Sequence, residues 1–288
     1  MTFRDGQSAF VRGLAFKAIE IEELADIFFF RPCGWVIARA ARVVGMTPSQ
    51  LSVARALTGI AGGSLLYKQS PGLLSFVLLI VSEIIDSADG QLARMTNNMT
   101  ELGRVLDGVG DYVAHAAIYI AIAVGVIHRG GSDVVLLWMF LAGLSNAIQS
   151  QMYDYHRTSY VTVMKEGRAP GHDTATVPSG IRWLYSLYLM TQRSLIGEHA
   201  RVAKALEARS VAGRAREDDQ VRYRECFYRL VRGWNILGSN TGLYALGVLI
   251  WLHRVDLFLV FMLVPMNLAL LALWFWQRSA DRKFLAGL

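Results

Sequence analysis

The sequence predicts an all-α polytopic membrane protein: six transmembrane helices preceded by an N-terminal amphipathic helix in the membrane interface. Three observations carry this. Hydrophobic residues make up 53% of the 288-residue chain, and the mean hydropathy is +0.34, high for a soluble protein of this length. Apolar runs near twenty residues recur, the length at which a helix crosses a bilayer. Lysines and arginines gather in alternate connecting segments, as the positive-inside rule requires of a multi-span protein.

Composition also sets limits. The two cysteines, Cys33 and Cys226, are far apart and exclude a disulfide framework. A net charge of +6 fits cytoplasmic-loop arginines better than nucleic-acid binding, so no nucleic-acid partner is expected. The first residues are of mixed charge without an apolar core, so no cleavable signal peptide is expected.

Residues 1–46 alternate Phe10, Leu14, Ala15, Ile19 and Ile21 with Arg12, Lys17 and Glu20, then reach the apolar cluster Ile27-Phe28-Phe29-Phe30 before Arg31-Pro32. This reads as an amphipathic segment lying on the membrane, or as a helix docked on a soluble face. The membrane domain is expected over 47–277. Thr47-Pro48-Ser49 starts a helix, with proline near its first position, and the first span runs over about 48–67. Arg55 lies inside it, either snorkelling to headgroups or facing a polar cavity. The second span begins near 73 and carries Glu83, a candidate for ligation or for outer hydrogen bonding. The third runs from Gly103 to about 127 and carries His115, which either tunes Asp111 or packs.

The fourth span covers about 134–153 and ends in Asn146, Gln149, Ser150 and Gln151; Asp154-Tyr155-His156-Arg157 then leaves the membrane. Residues 157–232 form a cytoplasmic insertion with a Gly/Pro-rich loop at 167–180, the interfacial candidates Trp183, Leu184, Leu187 and Tyr188, and an arginine-rich helical stretch from about 194. His172-Asp173 and His199 fit no recognised metal-ligand spacing. The last spans, about 234–252 and 255–276, are followed by a tail, 278–288. Six spans place both termini, the 94–104 turn and the insertion on one side, which holds most of the Lys and Arg and is therefore cytoplasmic.

The chemistry is concentrated in residues 86–111, DSADGQLARMTNNMTELGRVLDGVGD. Asp86, Asp89, Gly90 and Ala93 share one helical face, as do Gly103, Asp107 and Asp111. The polar stretch between can turn the chain back, so two antiparallel helices bring four carboxylates together. A like-charged pair at about 4 Å costs on the order of 4 kcal/mol at an effective dielectric of 20. The group is tolerable only with some acids protonated or with cations present. Oxygen-only ligands suit hard divalent ions, and two of them make a site for displacement at phosphorus. The small residues either allow close approach of a phosphate-bearing ligand or allow close helix packing; Arg94 is a surface cation or an anion clamp.

The pattern D-x-x-D-G-x-x-A-R-x8-G-x-x-x-D-x-x-x-D resembles the signature of the CDP-alcohol phosphatidyltransferase family, with every fixed position present. The resemblance implies an enzyme that transfers a substituted phosphate from a CDP-linked lipid donor to an alcohol, releasing CMP. It implies Asp86, Asp89, Asp107 and Asp111 as ligands of two Mg²⁺ (or Mn²⁺) ions, Asp111 as general base, and Gly90, Ala93, Arg94 and Gly103 as binding the CDP donor. It also implies a homodimer and a place in phospholipid biosynthesis. The compact size favours CDP-diacylglycerol as donor and a bacterial inner (plasma) membrane; transfer from CDP-choline or CDP-ethanolamine to a lipid alcohol is the alternative. A membrane prenyltransferase would be expected to show two separate aspartate motifs. A cation transporter would be expected to carry a matching acidic set in the fifth or sixth span.

Overall fold

The computed structural model describes residues 19–68, 72–98, 101–168, 195–211 and 213–288, the side chains of Ile19 and of residues 101–109 excepted. Phe10, Leu14 and Ala15, the bulk of the 167–180 loop, His172-Asp173 and the aromatic stretch 183–188 lie outside the described residues. The rest is helical: α1 Arg31–Val43, α2 Pro48–Leu65, α3 Gly72–Thr96, α4 Glu101–His128, α5 Val134–Val161, α6 His199–Arg209, α7 Glu217–Trp234, α8 Ser239–Trp251, α9 Leu257–Leu263 and α10 Pro265–Leu285. The chain falls into two compact units, Met1–Ser145 with Asn240–Leu263, and Asn146–Ser239 with Val264–Leu288.

The first unit is built on α2. Thr47 caps it: its hydroxyl accepts from the Gln50 N–H and the Gln50 side chain accepts from the Thr47 N–H, with Pro48 following. The buried face of α2 is Leu51, Ser52, Arg55, Gly59, Gly62 and Gly63. A Cβ on Gly59 would stand 2.9 Å from Ala114 Cβ, and one on Gly63 would stand 2.9 Å from the Ile118 amide nitrogen. On Gly62 it would meet Leu78 Cβ at 3.1 Å. Glycine therefore brings the α2 backbone against both α3 and α4. Two α3 serines fasten the contact, Ser75 donating to the Gly62 carbonyl at 2.6 Å and Ser82 to the Arg55 carbonyl at 3.0 Å.

The N-terminal segment contributes a 3₁₀ turn at Ile19–Ile21, a π turn at Asp26–Phe30 and α1. The inner face of α1 is small: Gly34 lies against Ser87 and the Ala88 amide, while Ala38 and Ala41 join Leu51, Ala88 and Leu92 in a buried cluster. Helix α3 runs to Thr96, and Asn97 just beyond it takes the left-handed conformation (φ 51°) that asparagine tolerates.

The second unit gathers α6, α7 and α10 with the end of α5. Helix α5 continues to Val161 and then a π turn at Thr162–Glu166, closed by Gly167 at φ 63°. The polar residues 154–157 thus do not end it, because Tyr155 and His156 are themselves buried. The expected span 255–276 is interrupted at Val264 before Pro265, and its helix continues through the expected tail to Leu285, with Asp281 and Phe284 buried.

By length and composition three helical stretches among the described residues can cross a membrane: Gly110–His128, Val134–Glu166 and Leu257–Leu285. The other expected spans depart from that rule for visible reasons. Glu83, Asp86 and Asp89 interrupt the apolar character of α3, α2 carries Arg55 and Gln50, and α8 has 13 residues.

Candidate active site

The end of α3 carries the first half of the aspartate pattern and the start of α4 the second. Arg55 on α2 lies between them. Its Nη1 is 2.8 Å from Asp86 Oδ1 and 2.5 Å from Asp111 Oδ1, so one guanidinium nitrogen is held by carboxylates from both ends of the motif. Arg55 is 4% exposed, whereas the side chains of Asp86 and Asp111 are 41% and 52% exposed. The cation is the buried floor and the acids form the open rim. Gly110 leaves room for it: a Cβ there would stand 3.2 Å from Arg55 Nη2. Of the two readings of Arg55, the structure selects the cavity.

Asp89 is buried and accepts from the Ser52 hydroxyl at 2.9 Å. Asp107 precedes Asp111 by one turn on α4, and Gly103 lies a further turn back; neither side chain region belongs to the described set. Gly90 differs from the packing glycines of α2. Among the described residues the nearest atom to a Cβ there is Arg94 Nη1 at 3.4 Å, so its bare backbone faces a flexible guanidinium. The Nε of Arg94 is buried with no hydrogen-bond partner among the described residues, a donor suited to an anion. Ala93 shares their helix, in the half-buried range.

Sequence reasoning missed several neighbours. The charges surrounding Glu83 are Asp111, Arg55, Asp26 and Glu23, and Asn240 donates to Glu23 Oε2 at 2.9 Å and to Asp26 Oδ1 at 3.1 Å. Glu23 and Asp26, three apart at the head of an apolar cluster, were the only trace of this in the sequence. Arg31 pairs with buried Glu22 at 2.7 Å, and Gln91 on the signature helix donates to the Arg31 carbonyl at 3.0 Å. His115 sits against the Asp111 carbonyl oxygen, 2.9 Å from Nδ1, not against its carboxylate. In the second unit His199 Nδ1 donates to Asp281 at 2.7 Å and Nε2 accepts from Tyr223 at 3.3 Å, which occupies both ring nitrogens.

For hard divalent ions the donor set is suitable. The site is rich in carboxylate oxygens, and Asp86 and Asp111 already close on one positive atom. Among the described residues no three His, Cys, Asp or Glu side chains meet at one point.

Known proteins resemble parts of this chain. An archaetidylinositol phosphate synthase of Pyrococcus horikoshii is 31% identical over 121 residues, 42% of this chain and 58% of that protein. An uncharacterised protein of Aquifex aeolicus is 39% identical over 74 residues, 26% of this chain and 37% of its own. The chain thus spans under two thirds of either relative. Residues 45–202, more than half of the chain and the segment that contains α2, α3 and α4, match the CDP-alcohol phosphatidyltransferase domain, whose members use divalent metals; the chain belongs to the CDP-alcohol phosphatidyltransferase family.

Proposed function

We propose that this protein moves a phosphatidyl-type group from a CDP-linked lipid, CDP-diacylglycerol first among them, to the hydroxyl of a small polar alcohol, with release of CMP. The observation that carries the reading is the convergence of Asp86 and Asp111 on one point from two helices. Asp86, Asp89, Asp107 and Asp111 would hold two Mg²⁺ or Mn²⁺ ions. Bound there, such ions neutralise the donor's diphosphate and stabilise the departing CMP.

The chain's own residues do the rest. Gly90, Ala93 and Gly103 present a surface without bulk to the cytidine diphosphate, and the Arg94 guanidinium pairs with its phosphate oxygens. Asp111, half exposed on the rim, takes the proton of the acceptor hydroxyl as its oxygen bonds to phosphorus and the bond to CMP breaks. The relative's name supports a phosphorylated inositol as the first acceptor to try.

The same reading gives six membrane crossings over 47–277, an insertion at 157–232, a tail at 278–288, cytoplasmic termini and a homodimer in the plasma membrane. An interfacial α1 is supported by its outward apolar residues, Val36 and Val43, continued by Phe28, Phe29 and Val44, beside exposed Arg39 and Arg42. The test is CMP release by purified protein from CDP-diacylglycerol or CDP-choline, against inositol phosphate, glycerol phosphate, inositol, serine and a diacylglycerol. CMP release only with CDP-diacylglycerol and a polar alcohol supports the reading; release only with CDP-choline and diacylglycerol replaces it with the alternative.

A further inference from the structure

Arg55 lies outside the signature, yet it makes the closest polar contacts of two signature aspartates. Its Nη1 touches Asp86 Oδ1 and Asp111 Oδ1, and its side chain is shut away from solvent by α2, α3 and α4. Divalent ions held by Asp86 and Asp111 would draw on these same carboxylate oxygens. Both interactions cannot be made at full strength, because an oxygen coordinating a dication is a poor acceptor for a guanidinium, and the two cations repel each other. A buried arginine without a carboxylate needs another anion, and the diphosphate of the donor brings one to the same rim.

We propose that Arg55 is a resident counter-ion that competes with divalent metal for Asp86 and Asp111, so that metal and cytidine diphosphate bind tightly only together. The inference rests on the proposed transferase site. It gives Arg55 a positioning role: it keeps the two halves of the motif facing each other and weakens metal occupancy that has no donor to serve. The coupling is reciprocal, since whatever CDP does for metal affinity, metal does for CDP affinity.

The test is Mn²⁺ binding to the purified full chain, followed by loss of the free-ion paramagnetic resonance signal, with and without CDP. Arg55→Gln should bind Mn²⁺ in the absence of nucleotide about tenfold more tightly than wild type, the scale of one lost charged contact. CDP should tighten Mn²⁺ binding strongly in wild type and little in Arg55→Gln. A folded Arg55→Gln protein that binds Mn²⁺ no more tightly than wild type, or keeps the full CDP enhancement, overturns the proposal. Should Arg55→Gln fail to elute as a folded species, Arg55→Lys carries the same reading. Its single ammonium bridges two carboxylates less well, so tightening of about threefold supports competition and none overturns it. Absence of saturable Mn²⁺ binding in every protein, wild type with CDP included, would instead remove the metal site and with it the proposed function.

Discussion

Gly63→Ala probes how the site is held together. A Cβ there would stand 2.9 Å from the Ile118 nitrogen, 3.0 Å from Ile118 Cγ1 and 3.2 Å from the Ala117 carbonyl carbon. Two of these three are backbone atoms, which cannot rotate away. Ordinary contact is about 3.5 Å, so α2 and α4 must part by about 0.6 Å. Overpacking of this kind costs about 1–3 kcal/mol. Arg55 is eight residues earlier on the same helix, about 12 Å away, and it bonds Asp111 on the helix being displaced. A shift approaching 1 Å in a reacting constellation costs on the order of 100-fold, so turnover should fall by about tenfold or more. Gly90→Ala is the control, because among the described residues its new Cβ lies nearest the flexible Arg94 guanidinium, at 3.4 Å from Nη1. It should leave thermal stability unchanged and raise the KM for the CDP donor. Thermal unfolding in detergent and CMP release give both readouts. Wild-type stability and turnover in Gly63→Ala would refute the reasoning.

Three further outcomes are expected. Asp111→Asn should fold but lose turnover; near-wild-type turnover would remove Asp111 as the base. Excess EDTA should abolish CMP release and restored Mg²⁺ or Mn²⁺ should recover it, and full activity in EDTA would contradict metal dependence. In the second unit, burial first, and then the charges of Tyr155 and Asp281, push the Tyr223 phenol well above its ordinary value. The unfolded chain ionises near pH 10 while the folded one does not, so this contribution is present below that pH and lost as pH rises past it. Tyr223→Phe should flatten the alkaline loss of stability above about pH 10, read from denaturation midpoints; an unchanged slope would contradict the assignment.

How much of this was legible in the sequence differs from element to element. The aspartate pattern was fully visible because its spacing is a helical period, and the Thr47-Pro48 start because capping is local chemistry. The meaning of each glycine was not. Gly90 and Gly63 look alike in sequence, and only the structure shows that, among the described residues, one faces a flexible guanidinium and the other is pressed on backbone. Arg55 was placed on its helix, but its partners come from residues 31 and 56 positions further along, which periodicity within α2 does not encode. The same holds for His199 and Asp281, 82 residues apart. Asp281 reads as a tail residue by composition and is buried because α10 continues past Gln277, whose side chain bonds both Trp234 and Asp281.

The central claim is that carboxylates from α3 and α4 close on a shared cation position at which a cytidine diphosphate ester reacts. Crystals grown with CDP and Mn²⁺, measured at the manganese absorption edge, test it most directly. Two anomalous peaks bounded by Asp86, Asp89, Asp107 and Asp111, with the CDP phosphates against them, are the expected result. Bound CDP with manganese elsewhere, or with none between α3 and α4, would contradict it.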